Sequence, residues 1–178
     1  MSKEPIQLSQ EEGEWKKGYD AFLAKYPDFP VAKPIDCLNL IMKKEFAEEI
    51  LQGKKTVEFR AYSKHYRDRL YDKETGDYIE AHSEDDEFIE GVQEYGPSLR
   101  FVRKIHFHNY NNTWYLDVEV KSNDVCTVTK DDVHFMQEEF NCHELDEELE
   151  YFEKKKISER PLFFYFALGN VIDTNLPH

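Results

Sequence analysis

The sequence predicts an α+β fold on three observations. Segments with the two-residue alternation of half-buried strands are interleaved with segments whose apolar residues recur at helical spacing. Turn chemistry separates them, and the chain closes on LFFYFALG, a continuous apolar run suited to a central strand buried on both sides. At 178 residues with 40% hydrophobic and 15% aromatic content, the chain can fill one sizeable core and carry an arm.

Residues 1–34 read as a helical arm docked on the core. Ser9 with Glu12 has the spacing of a capping box, and Trp15, Tyr19, Phe22, Leu23 and Tyr26 follow on one helical face until Pro27. Three prolines (Pro27, Pro30 and Pro34) then impose an extended connection. Residues 35–178 read as the main domain. Cys37 to Met42 suits a buried strand, and the next segment sets Phe46, Ala47, Ile50 and Leu51 on one helical face with Gly53 as the stop. In Thr56 to Tyr62 the alternation puts Val57, Phe59 and Ala61 on one side and Thr56, Glu58, Arg60 and Tyr62 on the other.

A short helix is expected around His65 to Tyr71. Asp72 to Ser98 reads as an acidic, loop-rich insertion punctuated by Gly76, Gly91 and Gly96-Pro97. Phe101 to Phe107 and Trp114 to Lys121 both alternate about Asn109-Tyr110-Asn111-Asn112, which predicts a β-hairpin. Thr129 caps a helix through Phe140, and Asn141 with Glu144 is expected to cap another carrying Leu145, Leu149 and Phe152. The apolar run Leu162 to Gly169 completes the sheet.

The formal charge of −14 repels polyanions unless the basic residues are segregated. They are partly segregated: Gly53 to Arg69 holds six basic residues against two acids, whereas Asp72 to Glu94 holds ten acids against Lys73. An anion site is therefore expected only in the first stretch. The N-terminus lacks the apolar segment of a signal peptide, and the longest apolar run is short of a membrane span. Three cysteines without CxxC spacing suggest neither a disulfide framework nor a zinc knuckle, so a reducing cytoplasm is the expected setting.

The chemistry concentrates in Gly53-Lys54-Lys55-Thr56-Val57-Glu58-Phe59-Arg60. Glycine ends a helix so that the backbone turns sharply and Lys55 is held at the mouth of the sheet. Glu58 and Arg60, two apart on a strand, project from one face, where arginine can fork onto an anionic group and glutamate can accept from a base or ribose. A carboxylate beside two cations is expected to stay ionised. The eight residues match G-x-K-x-x-E-x-R at all four fixed positions, and over about Asp36 to Val171 the chain resembles the ASCH family. That resemblance implies a PUA-like small curved mixed β-barrel with flanking helices, to which the N-terminal helix and acidic insertion are additions. It also implies binding of RNA, a nucleotide or a modified nucleoside through Gly53, Lys55, Glu58 and Arg60, with Lys54 and Tyr62 at the periphery.

Some ASCH proteins are amidohydrolases acting on acetylated cytidine nucleosides through a lysine, a threonine and a glutamate. The resemblance assigns Lys55 to the lysine and puts Glu58 at the threonine position. Glu138, after Gln137, falls at the glutamate position, with Glu139 one residue on. An enzyme of this kind needs no cofactor, and a protein partner on the acidic insertion is a third expectation. His106 and His108 share a strand face without a third metal ligand in view. Tyr62, Tyr66, Tyr110, Trp114 and Tyr115 are candidate stacking surfaces, Trp114 being the one expected to be partly exposed. Cys142-His143 shows no charge partner in the sequence, and Cys142 reads as a buried structural cysteine.

Overall fold

The computed structural model describes residues 10–95 and 98–178. In chain order these form α1 (Gln10–Lys25), β1 (Leu38–Ile41), α2 (Lys44–Leu51), β2 (Val57–Ala61), α3 (Lys64–Leu70), α4 (Lys73–Ala81) and α5 (Asp86–Tyr95). There follow β3 (Lys104–His108), β4 (Tyr115–Thr127), α6 (Lys130–Phe140), α7 (Asp146–Phe152) and β5 (Leu162–Thr174). The architecture is α+β, as the sequence predicts: a small curved mixed sheet with flanking helices and an N-terminal helix. The expected Ser9 cap lies outside the described residues, among which no helix is long and apolar enough to cross a membrane.

The described residues divide into two compact units, one of residues 33–70 and 100–178, the other built from residues 10–32 with 71–95 and 98–99. In the first, five strands run in the order β1-β3-β4-β5-β2. β3 and β4 form the expected hairpin, with Ile105 opposite Val118 and Phe107 opposite Leu116. Its turn is held by Asn109, whose side chain accepts from the Thr113 amide at 2.8 Å, and by Asn112 in the left-handed region at φ 55°. β5 lies between β4 and β2, and Phe164 to Leu168 are buried without a break, as expected of a strand covered on both faces. Register shifts between Asp117 and Ser122 let the long β4–β5 pair bend, and the sheet curls into a half-barrel.

Curling leaves β1 and β2 as the two edges. Arg60 spans that seam, its Nη2 donating to the Ile41 carbonyl at 2.9 Å, and Arg69 on α3 donates through Nη2 to the Asn39 carbonyl at 3.4 Å. Edge carbonyls that would otherwise recruit another strand are thereby occupied. One face of β2 supplies Val57 and Phe59 to a core with Val133, Met136, Cys142 and Leu145. The chain leaves this unit at Leu70 and returns at Arg100, whose amide donates to the Leu70 carbonyl at 2.8 Å.

The second unit corrects the expectation of a loop-rich insertion, because Asp72 to Ser98 is mostly two helices. The Asp72 carboxylate caps α4 by accepting from the amides of Glu74 and Thr75, and Asp85 accepts from the Phe88 amide at 3.1 Å to start α5. Acids in the first turns suit the helix dipoles. Beneath the charge runs a helical pattern, Tyr78, Ile79, Phe88, Ile89, Val92 and Tyr95, that packs with Phe22 and Phe29 in a second, aromatic core. Gly91 is not punctuation. A Cβ there would run into the ring of Phe22, so the glycine lets α1 and α5 pack closely.

Candidate functional site

Lys55 is placed by the way α2 ends. Gly53 takes φ +74°, its amide donates to the Ile50 carbonyl at 3.0 Å, and the Lys54 amide donates to the Glu49 carbonyl at 2.9 Å. This is the paired helix ending that glycine permits at little cost, and it turns the chain directly into β2. Thr56 is fixed by its hydroxyl, which donates to the Phe140 carbonyl at 2.6 Å at the end of α6.

Within β2, Glu58 stands opposite Phe166 and Arg60 opposite Phe164. Cross-strand partners share a face, so both charges project on the side that buries Phe164 and Phe166. Glu58 is only 6% exposed. Its Oε1 accepts from Arg60 Nε at 2.9 Å, while its buried Oε2 has no hydrogen-bond donor, the Lys55 ammonium standing 3.5 Å away. Arg60 also donates through Nη1 to the Tyr66 hydroxyl at 3.2 Å and through Nη2 across the seam to Ile41. Three of its five N–H groups are thus occupied by the protein.

Lys55, with 7% of its side chain exposed, donates to both carboxylate oxygens of Glu144, at 2.9 and 3.2 Å. The ring of Phe46, an α2 residue 42% exposed, lies 5.8 Å from the ammonium. Glu144 reaches the site because Asn141 ends α6 in the left-handed region at φ 48°, and the Cys142 amide donates to the Met136 carbonyl at 3.1 Å. The sequence suggested instead that Asn141 and Glu144 cap the next helix. In fact Leu145 stands at the N-cap of α7 without a side-chain hydrogen bond, and Glu144 is free to pair with Lys55.

The expectation that Glu58 simply stays ionised also needs correction. Loss of hydration on burial pushes its carboxyl above the ordinary value, outweighing the opposing pull of Lys55 and Arg60, and Glu144 adds to the rise. Burial likewise drives the Cys142 thiol up to about 11 and Cys126 to about 12, so neither is an activated nucleophile.

Of the residues singled out in the sequence, the structure brings together Lys55, Glu58 and Arg60, with Gly53 shaping their approach. Lys54 is exposed, and Tyr62 packs its ring on Phe164 at 4.8 Å beneath the Arg67 guanidinium. Glu138 is not brought in: it lies on the exposed side of α6, 3.5 Å from His134, and Glu139 is exposed beside it. Trp114 is 7% exposed, contrary to expectation, whereas Tyr110 is open to solvent. His106 and His108 do share a face, with ring centres 5.5 Å apart, but His106 pairs with Asp117, and among the described residues no three potential ligands gather for a metal. Comparison with protein-family models, with curated proteins and with solved structures finds no match for the chain.

Proposed function

We propose that the cluster of Lys55, Glu58, Arg60 and Glu144 binds a ligand of nucleoside class: a modified nucleoside, a nucleotide or an unpaired base of RNA. The observation that carries this is Glu58 Oε2, a buried acceptor without a hydrogen bond, whose nearest cation, the Lys55 ammonium, stands 3.5 Å away. An ion pair at that distance satisfies the oxygen less fully than a hydrogen bond does, and a ligand N–H or O–H makes up the difference. A ring N–H or exocyclic amine of a base is a donor of that kind, and the exposed ring of Phe46 offers an aromatic face beside it. Assignment to the ASCH family belongs to the same proposal, supported by the four-position motif at a helix–strand junction and by the curved mixed sheet. So does a cytoplasmic setting, supported by three free thiols.

The test is a thermal-shift screen of nucleosides, nucleotides and short RNA against the parent and Glu58→Gln, which keeps shape but alters the acceptor. A compound that stabilises the parent and loses most of that effect in the variant supports the site. Equal stabilisation of both proteins, or none by any compound, removes it.

A second proposal, hydrolysis of an acylated nucleoside, is favoured by the Lys55–Glu144 contact, in which Glu144 takes the role expected of Glu138. Glu144 would take a proton from the attacking water as its oxygen bonds to the acyl carbon, and pass that proton to the amine as the C–N bond breaks. Incubation with acetylated cytidine, read by mass spectrometry for cytidine and acetate, decides it.

A further inference from the structure

We infer that Glu144 is a specificity residue that bars anionic ligands, so that the cluster takes an uncharged nucleoside and rejects its phosphorylated forms. This rests on the proposal that the cluster is a ligand site.

Four charges meet there, two of each sign, and each is already answered. Lys55 donates to Glu144 and faces Glu58, while Arg60 donates to Glu58. A phosphate entering this set finds no uncompensated cation and two carboxylates to repel it. Arg60 cannot turn wholly toward it without giving up the Ile41 carbonyl across the β1–β2 seam and its bond to Glu58. The residue best placed to coordinate an anion is therefore engaged in architecture.

The position of Glu144 makes it the gate. Its side chain is 46% exposed, whereas Lys55 behind it is 7% exposed, so an incoming group meets the carboxylate before the ammonium. Nor is Glu144 on a free loop. Its neighbours Cys142 and Leu145 are both buried in the core against Val57, Val133 and Met136, and the Cys142 thiol lies 3.7 Å from its Oε2. A carboxylate anchored on both sides stays in place when an anion approaches. A neutral ligand is not penalised in this way and can still donate to Glu58 Oε2, which has no hydrogen bond and only the 3.5 Å contact with Lys55.

The experiment is a titration with inorganic phosphate, followed by thermal shift and by the NMR signal of the Lys55 ammonium, in the parent, Glu144→Gln and Glu144→Ala. With Glu144 neutralised or removed, Lys55 keeps only its longer contact with Glu58 and one repelling carboxylate is gone, so phosphate should bind both variants roughly ten-fold or more tightly than the parent, with strong salt dependence. Phosphate binding to the parent as tightly as to the variants, or a phosphate-induced shift of Lys55 in the parent alone, overturns the gate. A nucleoside screen that fails while the phosphate contrast holds would count against the ligand, not the gate. Nucleoside binding with no phosphate contrast would do the reverse.

Discussion

Arg60 donates to the carbonyl of Ile41 at 2.9 Å, joining two edge strands that no backbone ladder connects. The same side chain holds Glu58, so seam and site share one guanidinium. Arg60→Met removes the hydrogen bond to buried Glu58 but leaves it the Lys55 ammonium, and should cost roughly 1–3 kcal/mol in urea denaturation. Arg60→Lys, with a charge but no fork, should fall between parent and Met. A loss under about 1 kcal/mol for the Met variant would put the pair in the class of surface ion pairs.

Glu58 should give the protein a recognisable acid profile. Its folded carboxyl sits above the ordinary 4.5, so the native state holds this proton more tightly than the unfolded chain does. The contribution of Glu58 to stability is then fullest below 4.5 and is lost as pH rises through the raised value. Measured against Glu58→Gln, parent stability should fall across that window and level off above it. A difference that climbs with pH would mean that Lys55 and Arg60 outweigh burial.

Two glycines separate close packing from helix propensity. At Gly91 an added methyl meets the Phe22 ring, whereas at Gly76 it meets nothing within 4 Å. Gly91→Ala should destabilise the helical unit by about 1–3 kcal/mol, as overpacking does. Gly76→Ala should stabilise α4 by about 0.5–1 kcal/mol. Hydrogen exchange resolved by segment would show both effects in 71–99.

Thiol labelling should sort the three cysteines. Cys37 is exposed, whereas Cys126 and Cys142 are buried with thiols near 12 and 11. Brief treatment of the native protein with iodoacetamide at mildly alkaline pH should therefore modify Cys37 alone, and denaturant should release the other two. Early modification of Cys142 would mean that the Glu144 loop opens.

The strand and helix periods around the motif were legible because they depend on neighbours in sequence: Gly53 stops α2, and Val57 and Phe59 of β2 share the core face, although the opposite face, with Glu58, is buried as well. Glu144 was not, because it meets Lys55 from 89 residues away and only after Asn141 chooses between two conformations it favours equally well by chemistry. Asparagine caps helix starts, but it also tolerates the left-handed ending, and here the ending prevails. Ten acids likewise concealed the apolar stripe of α4 and α5, whose burial depended on Phe22 and Phe29 arriving from α1. Trp114 was misjudged because proximity to a turn says little about which face a ring takes.

The hydrogen bond from the Arg100 amide to the Leu70 carbonyl has an engineering meaning. Two positions 30 residues apart in sequence stand where a tight turn could join them, so residues 71–99 can be exchanged for a short linker without shifting the register of any strand. The exchange has to be double. Phe22 and Phe29 share their core with Phe88, and a transplant or deletion that takes 71–99 without 10–32 would leave those rings in water.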